Sequence, residues 1–433
     1  MRTLKLALIG MGTVGTGVAK ILVEQAAYLR SRCGADLQIK WVVVRDPAKP
    51  RAFTIPGAEI TTDLDQVIDD PEVDIAIEVM GTVRPAFEIL CALVIAGKHV
   101  VTANKAVLAE HGVELFQLAH ERERTVCFEA AVAGGVPIIA AVGERLLANR
   151  IVDLAGILNG TSNFILSAMH DQKVSYAQAL AEAQAKGFAE ADPTLDVDGT
   201  DAAQKLAILA RLAFQSSVDA KKIRKAGIDS LADVDIQYAI ELGYVIKLLA
   251  IAHVEDGILH LRVAPTLVHQ HHPLGQVRGE YNAVQVVGDA VGDTLYFGKG
   301  AGMMPTASSV VAGVLDLAIG RGQETFSSLR LWEKEPPGPR FNPDAYLRSR
   351  FYLRFTIVDR PGTLARIAGI LGDHGIGIAS VIQHETGEDR IGAAVPLIIM
   401  THVADEGAVR DALKITDGLE IVQAPSVCLH VSD

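Results

Sequence analysis

A glycine-rich turn near the N-terminus constrains the fold more than any other stretch of the chain. Residues 4–9 read LKLALI, a short apolar run typical of a buried parallel strand, and Gly10, Gly12 and Gly15 follow with the spacing G-x-G-x-x-G. The first glycine permits a tight turn, the second lets a pyrophosphate approach the backbone, and the third lets the next helix pack on the strand. The N-terminus of that helix then presents free N–H groups to the phosphates. The stretch predicts a Rossmann-type sheet that binds a dinucleotide, and a tight turn in another α/β fold is the alternative.

Further strands are predicted at residues 39–44, 74–79 and 99–102, and their alternation with helices favours a parallel sheet. The end of the second strand bears on the cofactor, because an acid there binds the ribose hydroxyls of NAD whereas an arginine suits the 2′-phosphate of NADP. Arg45 comes first and Asp46 follows. Arg45 therefore favours NADP, while Asp46 leaves NAD open.

Polar loops follow two of these strands, at the edge where parallel sheets bind ligands. Thr82 lies in the loop after residues 74–79, and Lys105 follows residues 99–102. Lys105 is either a surface lysine at a helix start or an active-site lysine, and its position in the sequence favours neither interpretation.

The next predicted strand, residues 125–129, ends at Glu129 and leads into a bend of small residues at 131–137. A carboxylate together with exposed backbone carbonyls is an oxygen-rich set that can hold a hard cation. A tight crossover between two domains is the alternative.

The stretch EADPTLDVDGTDAAQK, residues 190–205, places five carboxylates ahead of a single lysine. A helix is predicted from Thr200, and on it Asp201 and Lys205 are four residues apart and share one face. An ion pair of this kind is often only a weak surface contact. An excess of acid around a lysine also favours its protonated form. Earlier in the same half of the chain, a predicted strand at 151–158 ends in the polar turn NGTSN.

The rest of the middle region indicates an α+β domain. Strand-like runs at 260–263, 283–287 and 294–297 predict a mixed or antiparallel sheet. A glycine arc at 298–302 follows, which can close on a cofactor from the substrate side or be a simple glycine loop. A helix is predicted directly after it.

Residues 333–343, EKEPPGPRFNP, are typical of a linker. A βαββαβ pattern follows, which predicts a ferredoxin-like unit. We expect a nucleotide-binding domain completed by the helix at 303–320, a second domain, and a C-terminal domain; their predicted bounds are residues 1–136, 137–341 and 350–433.

The composition excludes several classes of protein. The net charge is −12 and no basic stripe is present, which argues against a nucleic-acid partner. No run approaches the roughly 18 apolar residues of a membrane span. The four cysteines lack metal-binding spacing and are typical of reduced thiols in a cytoplasmic protein.

Several stretches, taken in order, resemble the signatures of the homoserine dehydrogenase family: GMGTVG, TANKA, GILNGTSN, DPTLDVDGTDAAQK and GAGMMPTA. DRPGTLARIAGIL resembles the start of an ACT domain. The resemblance covers nearly the whole chain. It implies an α/β and α+β multidomain enzyme with an N-terminal Rossmann-type sheet, an α+β catalytic and dimerisation domain and a C-terminal ferredoxin-like ACT domain. The implied reaction is the NAD(P)H-dependent reduction of L-aspartate 4-semialdehyde to L-homoserine, in threonine, methionine and isoleucine biosynthesis.

The resemblance also implies roles for individual residues, with Lys205 as general acid/base and Asp201 as its partner. The implied catalytic residues are Lys205, Asp201 and Lys105. The implied substrate contacts are Glu190, Asp196, Thr161 and Gly160. The implied cofactor contacts are Gly10, Gly12, Thr13, Val14, Gly15, Arg45, Thr82, Lys105 and Gly302. The implied sodium ligands are Glu129, Val132, Gly134 and Val136.

The resemblance further implies a regulatory amino acid at the ACT domain, with threonine expected, and a homodimer or homotetramer. The chain has Gly375 to Ile378 where many ACT domains carry an asparagine before the second strand, which bears on the identity of that amino acid.

The chemistry is consistent with the residues themselves. A bound cofactor supplies a hydride to an aldehyde, and a lysine near the carbonyl oxygen can stabilise the alkoxide and donate the proton. Lys105 and Lys205 are both candidates. A phosphorylating semialdehyde dehydrogenase would need a nucleophilic cysteine, but Cys91 and Cys127 are predicted within a helix and a strand. A sensor of nucleotides and amino acids would have no use for the lysines.

Overall fold

The computed structural model of the chain describes residues 2–384 and 394–432. The N-terminal region alternates strands and helices as the sequence predicts. Its strands are β1 (Arg2–Ile9), β2 (Ala35–Val43), β3 (Glu59–Thr61), β4 (Val73–Glu78), β5 (His99–Thr102) and β6 (Val126–Cys127). Its helices are α1 (Thr13–Glu24), α2 (Ala26–Cys33), α3 (Asp65–Ile68), α4 (Ala86–Ile95) and α5 (Lys105–Glu121).

These six strands form one parallel sheet in the order β3-β2-β1-β4-β5-β6. The sheet is buried on both faces, which explains why its strands are nearly continuous apolar runs. Leu4, Leu6 and Leu8 point to the face covered by α1, while Ala7 and Ile9 belong to the core on the other face. The parallel, Rossmann-type sheet expected from the glycine pattern is confirmed.

The middle region contains most of the helices and a second sheet. Its helices are α6 (Ile138–Ala140), α7 (Gly160–Gln172), α8 (Tyr176–Ala185), α9 (Thr194–Val197), α10 (Thr200–Phe214), α11 (Asp233–Glu241), α12 (Met303–Ala318) and α13 (Arg321–Leu329). Its strands are β7 (Ile151–Ile157), β8 (Arg224–Lys225), β9 (Tyr244–Glu255), β10 (Ile258–His269), β11 (Tyr281–Gly288) and β12 (Gly292–Lys299).

Helix α12 packs against α1 of the first region rather than against the sheet that precedes it in the chain. A Cβ on Gly17 would lie 2.8 Å from the Met303 carbonyl oxygen and 2.9 Å from the Ala307 Cβ, so a glycine is needed for the two helices to approach this closely. Val310 and Val314 share the buried core of β1 and α1.

The C-terminal region has the βαββαβ order expected for an ACT domain. That pattern is made by β14 (Arg348–Val358), α14 (Thr363–Asp373), β15 (Ile378–Ile382), β16 (Ala394–Thr401), α15 (Glu406–Asp417) and β18 (Val422–Ser432). Two short strands are additional, β13 (Arg340–Phe341) in the predicted linker and β17 (Ala404–Asp405) just before α15. Its strands pair in the order β18-β14-β16-β15, and the helices cover a core that contains Phe351, Phe355 and Leu397.

The second and third regions share one continuous sheet, which the sequence did not predict. Strand β18 pairs in parallel with β10, with Thr266 opposite His430 and Val268 opposite Ser432. The sheet therefore runs β12-β11-β7-β9-β10-β18-β14-β16-β15. The predicted linker at 333–343 is also held in place, because β13 within it pairs with β10.

Strand β9 is a second feature missed at the sequence level. Its sequence, YVIKLLAIAHVE, is almost uniformly apolar, and an apolar run of this length does not distinguish a buried strand from a buried helix. It pairs with β10 on one side and β7 on the other. The predicted strand at 125–129 is shorter than expected, since Glu129 starts a 3-10 turn instead.

Across the described ranges, no single helix is both long and apolar enough to cross a bilayer. Helices α12 and α13 meet that length and composition only when taken together, and they are bent by 98° at the break between them.

Lys247 on β9 is a buried lysine with a testable consequence. It is 1% exposed, and its ammonium donates to the Asn163 Oδ1 at 2.9 Å and to the Val277 carbonyl. Burial lowers the pKa of Lys247 to about 7, against about 10.4 in an unfolded chain. Between these values the unfolded state binds the extra proton, so the free energy of unfolding contributed by this group rises with pH across that window.

We therefore expect Lys247→Met to remove that pH dependence. The measurement is urea unfolding of the wild type and the variant at several pH values from about 7 to about 10. The difference in free energy of unfolding, wild type minus variant, should increase with pH. A difference that stays constant over this window would show that Lys247 has an ordinary pKa in the folded protein.

Candidate active site

The glycine turn lies at the carboxyl edge of the parallel sheet, where β1 ends. Gly10 has φ +98°, and a Cβ there would lie 3.1 Å from the Val79 carbonyl oxygen. A Cβ on Gly15 would lie 2.1 Å from the Gly10 carbonyl oxygen, so Gly15 is required for the first turn of α1 to pack on the strand end. A Cβ on Gly12 would meet no heavy atom within 4 Å. Gly12, the N-cap of α1, therefore faces open space at the helix N-terminus.

A buried carboxylate joins the neighbouring loops of the same edge. Glu78 ends β4 with no exposed surface. It accepts hydrogen bonds from the Thr102 Oγ1 at 2.6 Å, the Met80 N–H at 2.7 Å and the Asn104 Nδ2 at 3.4 Å. Asn104 also donates to the Thr82 carbonyl at 2.7 Å. Burial raises the pKa of Glu78, against these hydrogen bonds.

This network sets the start of α5 and hence the position of Lys105. Asn104 is the N-cap of α5 and accepts from the Val107 N–H at 3.2 Å. Lys105 is the next residue, at the end of β5 in the same sheet as β1. With β4 between them, the two strand ends are about 10 Å apart by ordinary strand spacing.

Two lysines meet at one buried carboxylate. The Lys105 ammonium lies 3.0 Å from the Asp201 Oδ1, and the Lys205 ammonium lies 2.7 Å from the Asp201 Oδ2. The Asp201 side chain is 6% exposed, Lys205 is 12% exposed and Lys105 is 40% exposed. Helix α10 supplies Asp201 and Lys205 on one face, as their spacing predicts. Helix α5 supplies Lys105 and packs against α10.

Lys205 is held by a second contact, to the Leu158 carbonyl at 2.7 Å. Because a lysine ammonium has three N–H donors, its contacts with the Leu158 carbonyl and Asp201 leave one N–H for a reactant. Asn159 completes the arrangement, since its Nδ2 donates to the Asp196 Oδ1 at 2.7 Å and to the Asp201 Oδ2 at 2.9 Å.

The electrostatics separate the two lysines. Attraction by Asp201 raises the pKa of Lys105, and this outweighs burial. Burial lowers the pKa of Lys205 in spite of Asp201, and repulsion by Lys105 adds to the effect. The expectation that surrounding acids favour a protonated lysine therefore describes Lys105, whereas for Lys205 the loss of solvent outweighs them.

The carboxylates differ as well. Burial alone would raise the pKa of Asp201, but Lys205 and Lys105 outweigh it and hold that pKa well below the ordinary range. Burial raises the pKa of Asp196, against its hydrogen bond from Asn159. Asp201 is thus a fixed anion between two cations, and Asp196 is a carboxylate with much less positive charge around it.

Of the other predicted site residues, Thr161 reaches the Asp196 carboxylate with its side chain, and the rest lie around the cluster. Glu190 is exposed, and its charge contributes to the raised pKa of Lys105. Thr161 donates its hydroxyl to the Phe188 carbonyl at 2.6 Å. Gly160 packs closely, because a Cβ there would lie 2.6 Å from the Glu280 carbonyl oxygen. Arg45 is exposed just after β2.

The glycine arc at 298–302 is tightly packed at its centre, Gly300, and exposed on either side of it. A Cβ on Gly300 would lie 2.0 Å from the Asn282 Cγ, and one on Gly134 would lie 2.4 Å from the Gly300 carbonyl oxygen. Gly302 has φ +118° and is the N-cap of α12. The arc therefore connects the bend after Glu129 to the helix that packs on α1.

Glu129 itself is half-buried at that bend. Its carboxylate accepts from the Ile139 N–H at 2.9 Å and the Ala140 N–H at 2.8 Å, and burial raises its pKa to about 7. The Gly134 carbonyl accepts from the Ser309 hydroxyl at 2.7 Å. Within residues 2–384 and 394–432, no cluster of three or more His, Cys, Asp or Glu side chains has the geometry of a metal site.

Neither Cys91 nor Cys127 is placed as a nucleophile. Burial raises the pKa of both Cys91 and Cys127, so neither thiol has the thiolate character that covalent catalysis needs.

Two residues of the site were missed at the sequence level. Asn159 directly follows β7 and is the N-cap of α7, and only its place in a polar turn signalled it. Glu78 is an acid at the end of an otherwise apolar strand, DIAIE, and a charge at that position is the signal that could have identified it.

Comparisons with known protein families match three consecutive parts of the chain. Residues 10–129 match the NAD-binding domain of homoserine dehydrogenase, residues 137–315 match homoserine dehydrogenase itself, and residues 351–418 match the ACT domain.

Curated relatives match over their full length. The chain is 43% identical to a homoserine dehydrogenase of Pseudomonas aeruginosa, covering 100% of this chain and 99% of that protein. It is 40% identical to a homoserine dehydrogenase of Bacillus subtilis, covering 98% of this chain and 97% of that protein. Among solved structures, a homoserine dehydrogenase from Thiobacillus denitrificans has a TM-score of 0.93 and 40% identity, with 100% of this chain and 99% of that chain covered. A hyperthermophilic archaeal homoserine dehydrogenase in complex with NADPH covers 73% of this chain and 98% of its own, with a TM-score of 0.62 and 25% identity.

Proposed function

Because the chain belongs to the homoserine dehydrogenase family of oxidoreductases, we propose that it reduces L-aspartate 4-semialdehyde to L-homoserine with NADPH, in threonine, methionine and isoleucine biosynthesis. The observation that carries the assignment of the site is the pairing of Lys105 and Lys205 with Asp201 at the edge of the nucleotide-binding sheet.

Lys205 is the general acid of this proposal. Its one remaining N–H is available to the carbonyl oxygen of the aldehyde, and its lowered pKa makes it a better proton donor than an ordinary lysine. Asp201 holds the ammonium in place and keeps an anion beside it. In the reverse direction the same amine accepts the hydroxyl proton of homoserine.

Lys105 has a different role, because its raised pKa keeps it cationic. Its partly exposed ammonium suits the substrate carboxylate, while Asp196 and Glu190 suit the substrate ammonium. Thr161 and Gly160 complete the proposed substrate contacts. The Thr161 hydroxyl is hydrogen-bonded to the Phe188 carbonyl, and the missing side chain of Gly160 lets α7 begin close to the backbone of Glu280.

The nucleotide-binding residues fit a dinucleotide. Gly12 leaves open space at the N-terminus of α1, where the N–H groups around Thr13 and Val14 suit a pyrophosphate. A bound nicotinamide supplies the hydride. Exposed Arg45 suits the 2′-phosphate of NADP, and the archaeal relative that holds NADPH supports this preference.

A sodium ion is proposed at the bend between the first two regions. Glu129 and the carbonyls of Val132, Gly134 and Val136 are hard oxygen donors, which suit such a cation. The carboxylate and the Gly134 carbonyl each accept hydrogen bonds already, but a carboxylate has about four lone-pair sites and a carbonyl two, so capacity remains.

The ACT domain is proposed to bind a regulatory amino acid, with threonine expected. The loop before α14, from Asp359 to Gly362, presents a helix N-terminus that suits a carboxylate. We further propose that the enzyme works in the cytoplasm as a homodimer or homotetramer. Inhibition of the full-length enzyme by millimolar threonine tests the effector; activity unchanged by threonine would exclude it.

The activity is tested by the absorbance band of reduced nicotinamide. Mixing the protein with L-homoserine and NADP should produce that band, and aspartate semialdehyde with NADPH should consume it. NAD in place of NADP measures the cofactor preference. Failure to produce the band with either cofactor would contradict the proposed function.

Gly12→Val tests the nucleotide site without disturbing the fold. Since an added Cβ meets no protein atom within 4 Å, the variant should keep the wild-type unfolding temperature. It should bind NADPH at least about tenfold more weakly, because the side chain fills the space through which the pyrophosphate approaches the backbone. Fluorescence titration with NADPH measures the affinity. Gly369→Val, at another open glycine, is the control. Unchanged affinity in Gly12→Val would place the pyrophosphate elsewhere.

A further inference from the structure

A small cavity lies where the ACT domain joins the middle region. Its volume is about 80 Å³, well above the roughly 10–15 Å³ that one water needs. Strands β8 and β10 supply one wall, and α15 and β18 of the ACT domain supply the other. Ala345 and Leu347, just before β14, also line it. The cavity is therefore built from both sides of the junction at which β10 pairs with β18.

The lining of this junction cavity is strongly cationic. Three guanidinium groups, from Arg224, Arg262 and Arg410, line it, and Glu406 is the one carboxylate among the described lining residues. Arg410 donates to the Glu406 Oε1 from its Nη2 at 2.7 Å and its Nε at 3.0 Å. Arg224 lies 4.0 Å from the same oxygen. One carboxylate oxygen is thus shared, and positive charge remains in excess.

His430, which contacts one of these guanidinium groups, does not change the charge of the cavity. The Arg262 Nη1 lies 2.5 Å from the His430 Nδ1. Because a guanidinium is always a donor, this His430 nitrogen accepts and the ring is neutral. Burial lowers the pKa of His430 well below its ordinary value, and Arg262 and Arg410 lower it further.

Two buried nitrogen atoms remain without a protein partner at the same place. Among the described residues, the Arg262 Nε and the His260 Nδ1 are buried and have no hydrogen-bond partner, and both side chains line the cavity. His260 is 7% exposed. A buried guanidinium with an unpaired donor is costly unless an acceptor is provided. Space, excess positive charge and an unpaired guanidinium donor therefore coincide.

We propose that this junction cavity binds a small oxyanion, through Arg224, Arg262 and Arg410, and that the bound anion stabilises the contact between the ACT domain and the middle region. The chemistry fits a tetrahedral phosphate or the carboxylate of an amino acid, since guanidinium groups bind both. The site is separate from the glycine turn and from the loop before α14, so it adds a further ligand site to those of the proposed function, on which it rests.

The test is calorimetric titration of the full-length enzyme saturated with NADP, so that the nucleotide site is filled. Inorganic phosphate, acetate and L-threonine are titrated separately at constant ionic strength. At least one should bind saturably and raise the unfolding temperature, because a ligand bound only by the folded state stabilises it. Binding of phosphate alone identifies an inorganic anion, whereas binding of threonine and acetate identifies a carboxylate ligand.

Two variants should weaken that binding and one should strengthen it. Arg410→Gln and Arg224→Gln each remove one guanidinium, the first from a half-exposed side chain and the second from a partly buried one. Each should reduce the affinity for the anion by about tenfold or more. Glu406→Gln removes the competing carboxylate and should increase affinity. Arg150→Gln, at a surface arginine that is 92% exposed, is the control. None of the four should abolish dehydrogenase activity, which separates this test from that of the proposed function.

Two results would overturn the proposal. One is the absence of saturable binding by all three probes in the wild type. The other is binding that Arg410→Gln and Arg224→Gln leave at wild-type affinity, which would place the anion elsewhere.

Discussion

Replacement of Lys205 by alanine is expected to lower kcat by about a thousandfold, within the range seen when a general acid is removed, while the affinity for NADPH stays unchanged. The expectation follows from geometry. The Lys205 ammonium is fixed by the Leu158 carbonyl and by Asp201, so its third N–H has a defined direction. A water molecule in its place has neither that orientation nor a suitable pKa.

Lys205→Arg separates proton transfer from charge. Arginine keeps a cation beside Asp201, but it does not give up a proton at neutral pH. We therefore expect this variant to remain folded and nearly as inactive as Lys205→Ala. Lys221→Ala is the control, since this lysine is 74% exposed and its ion pair with Glu110 lies on the surface. The measurements are single-turnover rates and NADPH titration. Wild-type turnover in Lys205→Ala would remove Lys205 from the mechanism and leave Lys105 as the proton donor.

Rules that use only neighbouring residues were enough to predict where Asp201, Lys205 and Lys105 lie, because each position depends on the local secondary structure. Asp201 and Lys205 are one helical turn apart, so the spacing alone places them on one face. Lys105 follows a parallel strand, so the sheet rule places it at the ligand-binding edge. The sequence could not show that Lys105 and Lys205 share one carboxylate, because α5 and α10 meet only through the packing of two domains.

The residues that were missed depend on contacts distant in the chain. The contacts that define the role of Glu78 come from Thr102 and Asn104, and those that define the role of Asn159 come from Asp196 and Asp201. The same holds for the fold. The glycine pattern and the βαββαβ order are local and were confirmed, whereas the pairing of β10 with β18 joins strands more than 150 residues apart along the chain.

That pairing joins the ACT domain to the sheet of the middle region. A buried ion pair beside it also connects the two regions. Asp235 on α11 has no exposed surface. It accepts from the Arg354 Nε at 2.6 Å, the Arg354 Nη2 at 3.0 Å and the Tyr352 hydroxyl at 3.0 Å. Burial alone would lower the pKa of Arg354, but its two hydrogen bonds to the Asp235 carboxylate and the charge of that carboxylate raise it.

Arg354→Met is therefore expected to reduce the free energy of unfolding by about 3–5 kcal/mol, the usual cost when one partner of a buried pair is removed. The loss arises because Asp235 stays buried without a cation, and not because the pair itself is strongly stabilising. The double variant Asp235→Leu with Arg354→Met removes the stranded carboxylate as well and should recover most of the loss. Urea unfolding of the wild type, both single variants and the double variant measures the cycle. An Arg354→Met variant with the wild-type midpoint would contradict this account and would show that the pair between Asp235 and Arg354 does not hold the ACT domain to the middle region.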